Sequence, residues 1–174
     1  MRPSENAQWL AVEGWCTPEE GDALYGQAKQ TDGLIVEIGT GMGRSAIAMA
    51  LSGKTPMTID DNKERLSQAV HFASLCGVSI NALCGDSRED ASIWGSVSSI
   101  AFLYIDGWHD SANVRADYAA WAPHVVPNGA IWFHDAYGAG WPDVHTLIDE
   151  LVANGELALD GYVGTIAKCR KVAP

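Results

Sequence analysis

The chain has 174 residues and a formal net charge of −11, and its lysines and arginines never cluster beyond the short Lys168-Cys169-Arg170-Lys171 tail, so the basic footprint that nucleic acid or an anionic membrane requires is missing and neither is expected as a partner. Hydrophobic residues make up 47% and run the whole length, enough for one core, so a single domain over residues 1–174 is expected. No run reaches the roughly 20 apolar residues of a membrane span, the first residues carry no apolar leader, and the scattered Cys16, Cys76, Cys84 and Cys169 form no C-x-x-C pair, so a reducing, cytoplasmic setting is the expectation.

In chain order, Thr17-Pro18-Glu19-Glu20 reads as a helix start, with Thr17 as cap, Pro18 at the first helical position and Glu20 completing a capping box. Leu24, Tyr25 and Ala28 then face inward. Residues 34–38 are a short buried-type strand, 44–51 an Ala-rich helix, and 56–59 a second strand ending at Asp60. From Asn62, the residues Leu66, Ala69, Val70 and Ala73 fall at helical spacing, and Gly77 stops the helix. Residues 79–83 form a third strand, and 100–105 a fourth that is apolar throughout and therefore central. Cys76 and Cys84 lie in apolar patterns and are expected in the core. Val114, Tyr118 and Trp121 mark the next helix, 130–133 a fifth strand, and Val144, Leu147, Ile148 and Leu151 a last helix stopped by Gly155. Residues 157–159 and 163–168 close as a hairpin. The expected architecture is α/β, a seven-stranded and mostly parallel sheet with helices on both faces and a C-terminal antiparallel hairpin.

The strongest local signal is Val36-Glu37-Ile38-Gly39-Thr40-Gly41-Met42-Gly43-Arg44-Ser45. It leaves a buried strand, turns on three glycines and enters a helix whose free N–H groups face the turn. Glycines at 39, 41 and 43 give G-x-G-x-G, not the G-x-G-x-x-G of dinucleotide sites, and no Gly-Lys-Ser/Thr of a P-loop follows. Glu37, two positions before the first glycine, suits an ammonium group on a ligand.

This run resembles motif I of class I S-adenosylmethionine-dependent methyltransferases, acid-x-Gly-x-Gly-x-Gly. The resemblance implies a Rossmann-like methyltransferase fold with S-adenosylmethionine bound at Glu37, Gly39, Thr40, Gly41, Gly43, Arg44 and Ser45. It also implies that Asp60, with Asp61 beside it, takes the ribose hydroxyls, and that Asp86 and Ser87 read the adenine.

A second constellation follows the fourth strand. Asp106-Gly107-Trp108-His109 leaves the end of a buried parallel strand, where open α/β sheets place ligands. The segment resembles catechol O-methyltransferase and its kin, which carry there a metal-binding Asp, an aromatic beside the adenine and a basic residue three positions on. It resembles more closely a family of short bacterial class I enzymes with Asp-Gly-x-His, an Asp within a helix, and a Gly-led strand ending His-Asp. Asp106-Gly107-Trp108-His109, Asp117 and Gly129 to His134-Asp135 reproduce that pattern, and an opening Gly14-Trp15 extends the likeness over nearly the whole chain.

The resemblance implies His109 as general base, Asp106 as the residue orienting the acceptor, His134 as a second catalytic candidate and Trp108 beside the cofactor. Related sugar O-methyltransferases hold Mg²⁺ by one Asp after strand four and two adjacent acids after strand five. Here the set is Asp106, His134 and Asp135, with His in place of an acid, and His suits zinc, iron, nickel or copper better than Mg²⁺. A divalent metal is thus a candidate second cofactor. Asp117 reads as structural, and residues 137–142, glycine-rich with Tyr137 and Trp141, read as a lid over a small-molecule acceptor.

The expected reaction is methyl transfer from S-adenosylmethionine to a small acceptor, with a hydroxyl of a sugar or natural product favoured. An NAD-dependent oxidoreductase and an S-adenosylmethionine-binding partner subunit without activity stay open on the sequence alone, as does a homo-oligomer.

Overall fold

A computed structural model describes residues 1–89, 99–138 and 140–173. Ala139 of the expected lid lies outside them. The strands are β1 Leu34–Ile38, β2 Met57–Asp60, β3 Asn81–Cys84, β4 Ile100–Ile105, β5 Val125–Phe133, β6 Leu157–Val163 and β7 Ile166–Lys171. The helices are α1 Ala7–Leu10, α2 Pro18–Gln30, α3 Arg44–Ala50, α4 Lys63–Leu75, α5 Ser111–Trp121 and α6 Pro142–Ala153. Sheet order is β3-β2-β1-β4-β5-β7-β6. The first five strands in that order run parallel, and β7 pairs antiparallel with both β5 and β6. The order reverses between β1 and β4, the place where such sheets open a crevice for ligands.

Period-two alternation explains the two cores. On one face Ile35, Phe102, Tyr104 and Trp132 pack with Leu24 and Ala28 of α2 and Ile47 and Ala48 of α3. On the other, Val36, Ile38, Leu103, Ile105, Ile131 and Phe133 pack with Val114 and Trp121 of α5 and Val144, Leu147 and Ile148 of α6. A strand covered on both faces has no polar side to show, which is why β4 is apolar at every position.

Helix starts follow their capping residues. Thr17 Oγ1 accepts from Glu20 N at 3.3 Å, and Glu20 Oε2 accepts from Thr17 N at 2.8 Å, so the expected capping box is formed. Asn62 caps α4, and Asp110, directly after the Asp106–His109 segment, caps α5. Two expectations about burial are corrected. Val70 is 47% exposed, because the buried stripe of α4 is the narrower Leu66, Ala69 and Ala73. Cys84 is exposed, because β3 is an edge strand whose residues are mostly open to solvent, and Cys76, at the C-terminal end of α4, is half-buried against the core. Tyr25, also expected inward, is half-buried. No helix among the described residues is long and apolar enough to cross a membrane.

Gly39 sets the spacing at the mouth of the sheet. Its φ is +89°, and a Cβ there would overlap the main-chain carbonyl oxygen of Asp106 at the end of β4. Gly39→Ala combines a left-handed backbone with a backbone clash, so a loss of at least about 2 kcal/mol is expected in urea unfolding. A loss under about 0.5 kcal/mol, the scale of a surface change, would show that the two segments are free to part.

Candidate active site

Main-chain hydrogen bonds carry the sheet one step past its strands. Gly39 N donates to Ile59 O at 2.9 Å, Gly85 N to Asp60 O at 3.1 Å, Asp106 N to Ile38 O at 2.8 Å and His134 N to Ile105 O at 3.0 Å. The segments after β1 to β5 therefore leave the sheet at one level, and the expected site residues gather along one edge.

On the glycine loop, Gly41 faces open space, with no atom within 4 Å of where its Cβ would sit. Gly41 N donates to Asp60 Oδ2 at 2.9 Å, while Asp60 Oδ1 accepts from Asn62 N at 2.8 Å. The loop thus forms an open shelf steadied by a carboxylate that keeps lone pairs free for further donors. Asp61 is exposed beside it.

Glu37 sits behind the loop and is wholly buried. Its oxygens accept from Ser45 Oγ and from Thr58 Oγ1, the latter at 2.5 Å, and Thr40 Oγ1 lies 2.6 Å from Thr58 Oγ1. Burial pushes its carboxyl up to about 8 despite these hydroxyls, and the charges of Asp106 and Asp60 add to the rise. Glu37, Thr40 and Ser45 therefore bind β1, β2 and α3 together, and none of them stands on the shelf. Arg44 turns away too. Its guanidinium donates to Cys16 O at 2.7 Å and to Val12 O, and lies 4.4 Å from the Trp9 ring centroid.

Further along the edge, Asp86 is paired with Arg88 at 2.5 Å, and that guanidinium holds its carboxyl down at about 2. Ser87 Oγ donates to Asp117 Oδ1 at 2.5 Å. Asp117 is buried, and burial raises its pKa, so it anchors the 85–87 turn from within α5, the structural role expected of it. Trp108 is 71% exposed, its ring open beside the crevice.

The second constellation closes into a cluster. His134 Nδ1 lies 3.2 Å from Asp106 Oδ1 and 3.3 Å from Asp135 Oδ2, and His109 Nε2 lies 3.0 Å from Asp135 Oδ2 and 3.6 Å from Asp106 Oδ1. One ligand-type atom from each of the four residues lies within 4.8 Å of the others. His134 is only 3% exposed, yet neither of its nitrogens, nor His109 Nε2, has an aligned hydrogen-bond partner among the described residues. Buried imidazole nitrogens left unbonded while aimed at two carboxylates fit a bound cation. Without one, burial opposes charge on His109, but the facing carboxylates of Asp106 and Asp135 outweigh it and raise its pKa to about 9. Asp135 itself takes a left-handed φ of 54°, rare away from glycine.

Sequence reading placed Asp106, His134 and Asp135 together and set His109 apart as base; the structure adds His109 to the same cluster. Two further residues touch the cluster, Trp141 of the expected lid and Glu20. The Trp141 ring stacks on His109 at 5.2 Å and 26°, consistent with a cover over the site. Glu20 lies behind His134, its Oε2 3.7 Å from Nε2. The capping box was the only sequence signal for Glu20, and it spoke for the helix alone.

The family model described as "Methyltransferase domain" matches residues 36–136. Among solved structures, the fold is similar to that of an O-methyltransferase from Bacillus cereus in complex with SAH, at 16% identity and TM-score 0.72, covering 97% of this chain and 86% of the other. It is similar to the O-methyltransferase TomG from Streptomyces achromogenes, involved in tomaymycin synthesis and in complex with SAM, at 15% identity and TM-score 0.76, covering 98% and 89%. It is also similar to CalS11, a TDP-rhamnose 3'-O-methyltransferase of calicheamicin biosynthesis, at 20% identity and TM-score 0.65, covering 86% and 76%.

Because Glu37 is raised from 4.5 to about 8, the folded chain holds a proton there that the unfolded chain has released. Its contribution to stability is full below about 4.5 and is lost as pH rises through about 8. Glu37→Gln keeps the shape and removes the titration. Melting temperatures across pH 4.5 to 9 should decline less steeply in the variant than in the parent, and parallel declines would remove Glu37 as the cause.

Proposed function

The chain belongs to the methyltransferase domain family, and we propose that the methyl group it moves comes from S-adenosylmethionine and goes to a hydroxyl of a small molecule, a sugar or another natural product. The observation that carries this reading is the meeting of two sites at one sheet end. The glycine shelf with Asp60 and the Asp106–His109–His134–Asp135 cluster are joined where Gly39 lies against the Asp106 main chain.

The backbone of residues 39–43 would hold the cofactor, with Asp60 accepting from its ribose hydroxyls, the turn at Asp86 and Ser87 facing its adenine, and Trp108 offering a flat apolar ring. When bound, S-adenosylmethionine supplies a methyl already activated by its sulfonium, so the protein's work is alignment and proton removal. Asp106 orients the acceptor hydroxyl, and His109 takes its proton once a cation on the cluster offsets the carboxylates that otherwise keep the imidazole protonated. Trp141 over His109 keeps water from that exchange. Asp106, His134 and Asp135, one imidazole with two carboxylates, would suit a first-row transition ion such as zinc better than Mg²⁺ and would leave His109 to act as base. Such an ion would lower the pKa of an acceptor hydroxyl at the cluster. The TDP-rhamnose acceptor of CalS11 supports a sugar hydroxyl as the first class to try.

S-adenosylhomocysteine should raise the melting temperature, and NAD should leave it unchanged. Asp60→Ala should weaken S-adenosylhomocysteine binding in calorimetry. His109→Ala should leave that affinity near the parent's and lower the single-turnover rate about 10²–10⁴-fold. Chelation should depress turnover and zinc restore it. Binding of NAD without S-adenosylhomocysteine would overturn the cofactor assignment, and a parent-like rate in His109→Ala would remove His109 as base.

A further inference from the structure

Glu20 makes more contacts than a helix cap requires. A capping-box carboxylate serves its purpose at the surface by accepting from one main-chain N–H. Glu20 does accept from Thr17 N at 2.8 Å, yet it is only 1% exposed. Burying a carboxylate is unfavourable unless each oxygen finds donors. Oε1 finds them on the far side of the fold, accepting from Thr165 N at 2.7 Å and Thr165 Oγ1 at 3.0 Å in the β6–β7 turn. The preceding Gly164 lies so close that a Cβ would overlap the Glu20 carboxylate.

Both ends of this arrangement bear on residues 134–136. Thr165 O accepts from Ala136 N at 2.9 Å, directly after Asp135 with its left-handed backbone. Such a conformation persists only where its surroundings hold it. Meanwhile Glu20 Oε2 faces His134 Nε2 at 3.7 Å, while Nδ1 on the other side of the ring faces Asp106 and Asp135. Carboxylates thus lie on opposite sides of the imidazole, and turning the ring would separate it from both. We propose that Glu20 is a positioning residue: it orients the His134 ring toward the cluster and, through Thr165, holds Asp135 in place. The role rests on the reading of the cluster as a cation-binding catalytic site. It extends that site to the N-terminal helix and the C-terminal hairpin.

Glu20→Gln keeps the shape and removes the charge facing His134. Thr165→Val removes one hydroxyl from Glu20 Oε1 and keeps the carboxylate and the main-chain link. Both variants would be compared with the parent in melting temperature, zinc affinity by calorimetry, imidazole ¹⁵N–¹H resonances of His134 without zinc, and S-adenosylhomocysteine affinity. Glu20→Gln should weaken zinc about 10–100-fold, the usual effect of losing a carboxylate behind a ligand histidine. It should also shift the His134 resonances and leave S-adenosylhomocysteine binding near the parent's. Thr165→Val should lower the melting temperature and keep zinc affinity. If Glu20→Gln leaves both zinc affinity and the His134 resonances unchanged, or if both variants lose zinc in step with melting temperature, Glu20 is only structural. A parent that binds no zinc sinks the cation reading separately, and the His134 resonances then decide the role of Glu20. Should Glu20→Gln not fold, Glu20→Asp, one methylene shorter, gives the same readouts.

Discussion

The contact between the Gly39 backbone and the Asp106 carbonyl governs this structure. β1 and β4 are neighbours at the point where strand order reverses, and parallel pairing carries both to the same height. A side chain at position 39 would occupy the space where Asp106 leaves its strand. With glycine there, the shelf after β1 and the acidic segment after β4 lie against each other, and a ligand on the shelf is brought next to the cluster. Catalysis by proximity needs that fixed spacing more than any single charged group.

Among the described residues three carboxylates are buried, and each has a different set of donors. Glu37 receives two hydroxyls, Asp117 one hydroxyl, and Glu20 main-chain amides and a hydroxyl. The consequences diverge. Glu37, desolvated and near Asp106 and Asp60, is raised to about 8, while Glu20 is lowered to about 2, because His134 and the amides outweigh its burial. The first tie is thus close to neutral in the folded state and works as a bracket between strands. The second keeps its charge and acts on a histidine.

Arg44 illustrates how position in a motif and use in the fold part company. It opens α3 directly after the glycine loop, where a cation is well placed for an anionic ligand. Its guanidinium instead lies on Trp9 and gathers the carbonyls of Leu10, Val12 and Cys16. Trp9 Nε1 returns a bond to Arg44 O at 2.7 Å. The N-terminal segment is thereby held against the start of α3, and Trp15 is left 92% exposed.

The amino-acid sequence by itself determined what depends on near neighbours. Short apolar runs and helical spacing marked the seven strands seen among the described residues and the paired hairpin, the capping box at Thr17 and Glu20 formed as expected, and the glycines placed the turn after β1. These follow from steric and hydrogen-bonding rules acting within a few residues. Asp106, His134 and Asp135 were legible as one group because each ends a strand expected at the centre of the sheet. Only the tertiary structure decided which way side chains turned and what met across the fold. Val70 and Cys84 lie open because the width of a buried stripe and the cover over an edge strand depend on what packs against them. His109 joins Asp135 across two strand ends, and Glu20 meets Thr165 across the length of the chain. Local patterns carry no information about such pairs, because they exist only once the sheet has closed and brought distant segments within a few ångströms.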